Sequence, residues 1–519
     1  MKTHMRITAL MLALLMSTCS FALAQSTADA TTIVLSDEGI TVDGQAVSTD
    51  EDDAVYAAND IVFYLAGQGY TYGEGTEQDE HTQQEADAHT VLHITKPGTY
   101  VLSGSLSAGQ VAVDLGKKAD DDPTAVVTLV LNGVDVTCTV APAVIFYNVY
   151  ECSSSDEDDA TMYVDTKAAG ANVLIADGSV NNISGSYVAR IYKSYTLSED
   201  GTEVIDSKKL HKYDAAFYSK MSMNIGGGPL GSGVLNINAQ NEGLGSELHL
   251  TINGGTINIV SGNDGINTNE DNVSVTAVNG GSLNIVVNGG TGEGDGIDSN
   301  GWLVINGGTV TTAACGFSSD AGIDSDCGIY LNGGTVKASG NMLDHISGGS
   351  ADYMVMNFAD FRRGGETVAM KDEEGNTVAE WTPANDYTYL IVTGDAVVPG
   401  NYTLWSGEQQ LAYHGVGTGG MMPPGGMPRP EGKERPEMLD AAQFPEGLEP
   451  PERPEDMEFP EGMKPPEMPE GMERPQGGFD GHHARRDRWD ATGEPSVEFV
   501  LEEGGNSFFG IAAYQPTVK

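Results

Sequence analysis

The chain has 519 residues, of which 75 are Asp or Glu and 26 are Lys or Arg, so its formal net charge at pH 7 is −49. A charge of this size argues against binding to nucleic acid or to anionic membrane surfaces, because both would repel the protein. The length is sufficient for two to four domains of roughly 150 residues each.

Residues 1–24 have the pattern of a signal peptide. A charged start is followed by the apolar run 7–16 and by Ala22-Leu23-Ala24, which fits an A-x-A cleavage site. We therefore expect a secreted or cell-surface protein. Anchoring as a lipoprotein at Cys19 is less favoured, because Thr18 fits the position before a lipidated cysteine poorly. No other stretch approaches the roughly 18 apolar residues that a membrane span requires, so no transmembrane segment is expected.

The cysteines that follow the leader are even in number, which in an oxidising compartment favours disulfides. No C-x-x-C motif is present, which argues against a zinc site. Of the three possible connectivities, the local pairs are favoured: Cys138 with Cys152, and Cys315 with Cys327.

Composition changes along the chain and predicts its organisation. Residues 417–494 repeat Pro-Glu-Gly beside methionine and are expected to be disordered, because they cannot bury a core. The other predicted regions are an N-terminal β region (25–90), a repeat region (91–351), a β-rich C-terminal cap (352–416) and C-terminal strands (495–519).

A repeat dominates the central region. The tripeptide Asn-Gly-Gly recurs at 253–255, 279–281, 306–308 and 332–334, at spacings of 26, 27 and 26 residues. An apolar residue lies nine positions before three of these copies, and we number each repeat from it as position zero. The position-zero residues are Phe217, Leu244, Ile266, Ile297 and Ile323, with Ile266 in frame if four residues near 270–273 are inserted.

Other apolar residues align at positions +6, +8, +13 and +15, so each repeat has three short segments with a period of two. Each segment is typical of a strand with one buried face. A single repeat has too few strands to make a core, whereas stacked repeats pair their strands and close one. The sequence therefore predicts an all-β protein built on a right-handed parallel β-helix, the hand following the usual rule for parallel crossovers.

Acidic and amide side chains flank position zero in successive repeats. Strands in a sheet lie about 4.8 Å apart, so these carboxylates would form a ladder of like charges that a cation would neutralise. Ca²⁺ is the preferred occupant, because it accepts carboxylate, amide and carbonyl oxygens. The predicted ligands are Asp264, Asn267, Asp295, Asp298, Asp320, Asp324 and Asp344.

The alternative interpretation needs no ion. Asp and Asn are common in turns for reasons of backbone geometry, and stacked Asn side chains can stabilise repeats on their own. Calcium is favoured over this reading because both flanking positions are acidic in the same repeat at Asp295 and Asp298.

Several segments, taken together in this order, resemble a family of secreted carbohydrate-binding proteins with a polysaccharide-lyase-like right-handed β-helix. They are residues 94–104, 131–134, 217–220, 263–267 and 295–301. The resemblance covers roughly 90 to 350. It implies calcium in the acidic turns and binding to cellulose-like or acidic plant polysaccharides, without established catalysis. Ala321, at the position two before Ile323, and the Pro-Glu-Gly segment depart from the family pattern.

Three functional hypotheses follow. The first is a non-catalytic, calcium-dependent polysaccharide-binding protein. The second is a pectate-like lyase, which needs a base near the metal; Lys220 is the best candidate, but a surface lysine paired with an acid such as Glu247 is favoured for it. The third is a structural or adhesive surface protein with a protein partner.

Aromatic side chains give the candidate sugar-binding residues. Trp302 and Tyr330 have outward parity in their predicted strands, and Tyr187 and Tyr192 belong to a predicted polar loop. Exposed aromatic rings can stack on sugar rings, but they can equally cover the edge of a repeat.

Overall fold

The computed structural model describes residues 30–69, 71–198, 201–202, 204–418 and 494–515. The predicted leader and residues 419–493 of the predicted disordered segment lie outside this range. No helix in the described part of the chain combines the length and the hydropathy needed to cross a membrane.

The described residues are almost entirely β-structure. The only α-helix among them is α1 (Gln83–Asp87), and short 3₁₀ turns occur at Glu77–Asp79, Glu157–Asp159 and Thr166–Ala168. The strands before the regular repeats are β1 (Thr31–Leu35), β2 (Thr41–Val42), β3 (Gln45–Ala46), β4 (Val55–Ala58), β5 (Gly73–Glu74), β6 (Thr90–Ile94), β7 (Gly98–Leu106), β8 (Gly109–Asp114), β9 (Val127–Thr137), β10 (Val144–Asn148), β11 (Ala171–Ile175), β12 (Val180–Gly185), β13 (Val188–Leu197) and β14 (Val204–Tyr213).

The regular repeats and the C-terminal region supply the remaining strands. In the repeats these are β15 (Ala215–Ser219), β16 (Met223–Gly227), β17 (Val234–Ala239), β18 (Glu242–Ser246), β19 (His249–Ile252), β20 (Thr256–Ser261), β21 (Ile266–Thr268), β22 (Val275–Val278), β23 (Ser282–Val287), β24 (Ile297–Ser299), β25 (Trp302–Ile305), β26 (Thr309–Ala313), β27 (Gly328–Leu331), β28 (Thr335–Gly340) and β29 (Ile346–Gly349). After them come β30 (Tyr353–Arg362), β31 (Val368–Lys371), β32 (Thr377–Trp381), β33 (Tyr387–Thr393), β34 (Gly400–Ser406), β35 (Gln409–Ala412), β36 (Gly415–Thr418), β37 (Phe499–Leu501) and β38 (Gly505–Ala513).

Three parallel ladders organise the repeats. The first ladder runs β6, β8, β10, β15, β18, β21, β24. The second runs β9, β11, β16, β19, β22, β25, β27, β29. The third runs β9, β12, β17, β20, β23, β26, β28. From residue 215 to residue 313 every repeat contributes one strand to each ladder, which confirms the predicted three strands per repeat.

The strand register confirms the alignment made from sequence. Phe217, Leu244, Ile266 and Ile297 pair in succession along the first ladder, and all four are completely buried. In the second ladder Leu250 pairs with Thr276, ten residues after Ile266, so the predicted four-residue insertion is present. The inward-facing residues of all three ladders belong to one apolar core.

Asn-Gly-Gly forms the corner between the second and third ladders. Its second glycine has a positive φ, for example +87° at Gly255 and +81° at Gly308, a conformation that L-residues rarely adopt. Its asparagines stack, each donating from Nδ2 to the Oδ1 of the asparagine before it at 2.8 to 2.9 Å. We call this stack, Asn253, Asn279, Asn306 and Asn332, the amide ladder.

The C-terminal strands form a second apolar core beside the ladders. β33 pairs antiparallel with β28, the last strand of the third ladder, and with β30. β38 pairs parallel with β30 and antiparallel with β36. These strands therefore cover the open edge of the third ladder, as a cap must.

The four cysteines within the described residues are free thiols, so the predicted pairs Cys138–Cys152 and Cys315–Cys327 are not formed in the structure. Proximity in sequence was misleading, because neighbouring segments belong to different ladders. Cys315 follows β26 of the third ladder, whereas Cys327 precedes β27 of the second and contacts Asn272 Oδ1 at 3.7 Å. Cys138 directly follows β9 and is buried, and burial raises the pKa of its thiol to about 11.

Candidate functional site

The acidic turns enter the strands of the first ladder. Asn267 and Asp298 pair in register one residue after position zero, and the amide of Asp324 donates to the carbonyl of Ile297 in the preceding repeat. The carboxylates flanking position zero thus stack along one line. We call this set the acidic column: Glu242, Asp264, Asp295, Asp298, Asp320 and Asp324.

The carboxylates before position zero accept hydrogen bonds from neighbouring repeats. Asp264 Oδ1 accepts from the amide of Asp295 at 2.7 Å, and Asp295 Oδ1 accepts from the amide of Ala321 at 2.5 Å. Asp320 Oδ2 accepts from the amide of Gly294 at 2.7 Å and from the Ser318 hydroxyl. These side chains link one repeat to the next, a role that the sequence pattern did not reveal.

Burial and mutual repulsion disfavour the charged form of this column. Burial raises the pKa of Asp264 well above its usual value, and the carboxylates of Asp298 and Glu242 raise it further. The pKa of Asp295 is raised in the same way by burial, by Asp264 and by Asp324. A column of this kind gains stability by taking up protons or a cation.

One amide oxygen in the column has no partner. Asn267 is 8% exposed, and its Nδ2 donates to Glu242 Oε1 at 3.0 Å. Its Oδ1 is buried without a hydrogen-bond partner. A buried acceptor left unsatisfied is costly, and an oxygen-binding cation at this point would remove the cost.

Asp344 lies at the end of the column. Its two oxygens accept from the amides of Ser325 at 3.1 Å and of His345 at 2.7 Å. Burial and the carboxylate of Asp324 raise its pKa to about 7. Asp344 is therefore close to Asp324. The pKa values of Asp264 and Asp295 are raised by burial and by other carboxylates of the column.

The side chains do not converge on a finished metal site. Within the described ranges, no three His, Cys, Asp or Glu side chains form a cluster with the geometry to hold a metal ion. The electrostatics and the donor types suit Ca²⁺, since amide and backbone oxygens complete its coordination. The calcium assignment stays a prediction.

Lys220 stands beside the column rather than in it. It is exposed and follows Ser219 at the end of β15. The predicted pairing with Glu247 is wrong, because Glu247 accepts a hydrogen bond from the Tyr218 hydroxyl and Lys220 takes part in none of the ion pairs formed among the described residues.

Trp302 and Tyr330 share the outer face of the second ladder. Trp302 pairs with Gly328, and Tyr330 lies two residues further along the same strand. Both rings are half-buried, while Leu303 and Ile329 beside them are fully buried, so the predicted outward parity is confirmed. A Cβ at Gly348 would lie 3.1 Å from the Tyr330 ring, so a larger residue there would require the ring to shift slightly.

Tyr187 and Tyr192 belong to a different environment from the one predicted. Tyr192 lies in strand β13, not in a polar loop, and its hydroxyl hydrogen bonds with Glu74. The hydroxyl of Tyr187 donates to Asp79. Both hydroxyls therefore fasten the segment around residues 74–79, and neither is left for a ligand.

Sequence reasoning gave no role to the segment 151–168, which crosses the outer face of the second ladder. Ser153 Oγ meets His249 Nε2 at 3.1 Å, and Thr166 Oγ1 meets Thr251 Oγ1 at 2.8 Å. His249 Nδ1 accepts from the amide of Val275 at 3.0 Å, and burial lowers the pKa of the imidazole to about 4. His249 has outward parity, one residue before the inward-facing Leu250, yet it is buried because this segment covers it.

Comparison with known proteins gives one family. Residues 88–352 match the family described as "Carbohydrate-binding domain-containing protein". A relative of that description from Acetivibrio thermocellus is 30% identical over 169 residues, which are 32% of this chain and 44% of the relative. The chain thus spans less than half the length of the curated relative that it matches.

A solved structure is also similar. It is described as the polysaccharide lyase-like protein from C. thermocellum, a gadolinium derivative, and is 21% identical to this chain. The match covers 62% of this chain and 91% of the other, with a TM-score of 0.34. A superposition this loose transfers no feature from one protein to the other.

Proposed function

Because the chain belongs to the carbohydrate-binding domain-containing family, we propose that it is a calcium-dependent polysaccharide-binding protein without catalytic activity. The observation that carries this proposal is the matched span, 88–352. It contains the three parallel ladders from β6 at Thr90 to β29 at Gly349, and β1 extends them toward the N-terminus by pairing in parallel with β7. The family resemblance thus rests on the part of the chain that also contains the acidic column.

Calcium would be held in the acidic column around Asp264, Asn267, Asp295 and Asp298. The support is the buried, unpartnered Oδ1 of Asn267 together with the raised pKa values of Asp264 and Asp295, which express the repulsion among neighbouring carboxylates. When bound, a divalent cation neutralises that repulsion and offers open coordination positions to sugar hydroxyl or carboxylate oxygens.

Trp302 and Tyr330 would form the stacking surface for sugar rings. They lie on adjacent strands in diagonal positions, which places their Cβ atoms roughly 7 to 8 Å apart. Glycines at 328 and 348 keep bulky neighbours away from the Tyr330 ring. Aromatic rings of this kind cover the apolar face of a sugar ring, while the polar Trp N–H and Tyr O–H groups remain exposed to solvent.

The finer architecture and the location are part of the same proposal. The parallel ladders would close as a right-handed β-helix, the hand that parallel crossovers adopt in nearly all cases. The predicted leader would export the protein to the medium or the cell surface, where millimolar calcium fills sites of about 10⁻⁴ to 10⁻³ M.

A glycan array with pectins, celluloses and host glycans, probed with and without Ca²⁺, tests the function. We expect binding to plant-type or acidic polysaccharides that is lost on chelation. Absence of binding to every glycan in both conditions would refute the proposal.

The lyase hypothesis has its own measurement. Proton abstraction from a uronate would give an unsaturated product absorbing at about 232 nm. With Lys220 outside the acidic column, we expect no such absorbance on polygalacturonate with Ca²⁺. A steady rise in absorbance that Lys220→Ala abolishes would show that the protein is a lyase.

A further inference from the structure

An antiparallel hairpin interrupts the parallel ladders. Strands β13 and β14 pair along their length, from Val188 with Tyr213 to Leu197 with Val204. The third strand of this sheet, β5, pairs only with Arg190 and Ile191 at the base. The half of the hairpin beyond those residues therefore has no further strand beside it among the described residues.

The base of the hairpin is fastened by an ionic cluster. Arg190 Nη1 donates to Glu74 Oε2 at 2.7 Å, and Tyr192 also hydrogen bonds with Glu74. Although burial opposes it, the carboxylates of Asp214, Glu74 and Glu242 raise the pKa of Arg190 above its usual value. Since Glu242 is the first carboxylate of the acidic column, the hairpin rises directly beside that column.

The stem of the hairpin is basic in a strongly acidic protein. Residues 188–195 and 207–213 contain five of the 26 Lys and Arg residues of the chain and no Asp or Glu. The five are Arg190, Lys193, Lys208, Lys209 and Lys212. Acidic residues return only toward the tip, at 199, 200, 203 and 206.

The distal half offers cationic and aromatic groups to solvent. Lys193 and Lys209 are exposed, and Lys193 enters no ion pair with another described residue. Tyr195 is 46% exposed and Ile205 is 63% exposed. Exposed aromatic and apolar groups interleaved with cations are the features that bind a polyanion with apolar ring faces.

We propose that the stem of the β13–β14 hairpin is a binding site for an anionic polysaccharide, with Lys193 and Lys209 meeting the acid groups and Tyr195 stacking on a sugar ring. The inference rests on the proposed carbohydrate-binding function and selects uronate-type polymers within it. The net negative charge that opposes nucleic acid and anionic membranes also opposes this ligand at long range. Charges more than about 8 Å away are screened at physiological salt, so the cations of the stem dominate once the ligand is in contact with them.

Charge reversal in the full-length protein tests the site. The variant Lys193→Glu/Lys209→Glu and the single variant Tyr195→Ala are compared with Lys118→Glu, which changes an exposed lysine in the turn after β8. Binding to polygalacturonate and to a neutral cello-oligosaccharide is measured by titration calorimetry with Ca²⁺ at low and high salt, after circular dichroism has shown that each variant is folded.

The double variant is expected to weaken binding to polygalacturonate by about tenfold or more at low salt and to flatten its salt dependence. Binding of the neutral oligosaccharide and the behaviour of Lys118→Glu should be unchanged. Unchanged binding of polygalacturonate by the double variant would overturn the site while leaving the proposed function intact. Failure of the wild-type protein to bind either sugar would overturn both.

A second copy of the chain is the competing occupant. If the wild-type protein dimerises at low salt, and the double variant is monomeric but still binds polygalacturonate, the hairpin is a self-association site and the proposal fails. Binding of anionic phosphatidylserine vesicles in place of polygalacturonate would overturn it as well.

Discussion

The amide ladder and the acidic column repeat the same design with opposite results. Both stack polar side chains from successive repeats at the strand spacing, one per repeat in the amide ladder and one or two per repeat in the acidic column. An asparagine such as Asn306 donates to one neighbour and accepts from the other, so the amide ladder satisfies itself. A carboxylate can only accept, so the acidic column draws its donors from backbone amides and is left with like charges side by side.

The difference teaches that regular stacking is not itself stabilising. The column has to be neutralised by protons or by a cation, whereas the ladder needs neither. The acidic column should therefore make the stability of the protein depend on pH and on calcium, whereas the amide ladder should not.

The largest expected effect is that of pH on calcium-depleted protein. A carboxyl group whose pKa is raised on folding holds its proton more tightly in the folded state than in the unfolded chain. Its contribution to stability is complete below the unfolded value of about 4 and is lost as pH rises through the folded value, which is about 7 for Asp344. His249, whose pKa is lowered to about 4 by burial, contributes in the opposite sense below its unfolded value of about 6.5. With Asp264 and Asp295 shifted in the same direction as Asp344, the free energy of unfolding should fall by on the order of 3 kcal/mol between about pH 6.5 and pH 8.

Urea denaturation at a series of pH values measures this effect. Excess Ca²⁺ should flatten the curve at neutral pH, because bound cation replaces the protons. Stability that rises from pH 6.5 to pH 8 in the absence of calcium would contradict the comparison.

Calcium should produce the next largest effect. At 10 to 100 times the dissociation constant, binding to the folded state alone adds about 1.4 to 2.7 kcal/mol. Differential scanning calorimetry of chelated protein, before and after calcium is restored, should show a rise in melting temperature. Mg²⁺ is the control, and an equal rise with both ions would indicate nonspecific screening.

Asp295→Asn tests the column at one position. The amide oxygen still accepts from the amide of Ala321, but one of the crowded charges is removed. We expect the calcium-free variant to be more stable than wild type by about 1 kcal/mol at pH 8, and its calcium-induced stabilisation to be reduced. A loss of stability without calcium would mean that repulsion in the column is negligible.

Asn306→Asp is the reciprocal change and should have the smallest effect. The new carboxylate loses the donor to Asn279, while it still accepts from Asn332. Because the site is exposed, we expect a loss of about 0.5 kcal/mol in the free energy of unfolding, independent of calcium. Calcium binding by this variant would show that any stacked carboxylate recruits the ion.

The repeat could be predicted because its signals are local. Asn-Gly-Gly marks a backbone corner, and apolar residues at fixed offsets from it mark the buried columns, so the register around Leu244 and Ile266 follows from spacing alone. The acidic residues could be placed on one line for the same reason.

The remaining features depend on contacts between repeats. Asp264 meets the amide of Asp295, 31 residues later, and the Tyr187 hydroxyl meets Asp79, 108 residues earlier. Cys315 and Cys327 are neighbours in sequence but belong to different ladders. No local pattern encodes such partners, and an isolated basic hairpin is evident only when β13 and β14 are seen to pair.

The pairing of β36 with β38 has a consequence for the residues between them. Thr418 pairs with Asn506, so the chain leaves one sheet at β36 and rejoins it after residue 494. A protease that cuts between residues 419 and 493 would produce two polypeptides, yet hydrogen bonds of β37 and β38 to β30, β34, β35 and β36 would hold them together. Cleavage there would be visible on a denaturing gel and silent in native size-exclusion chromatography.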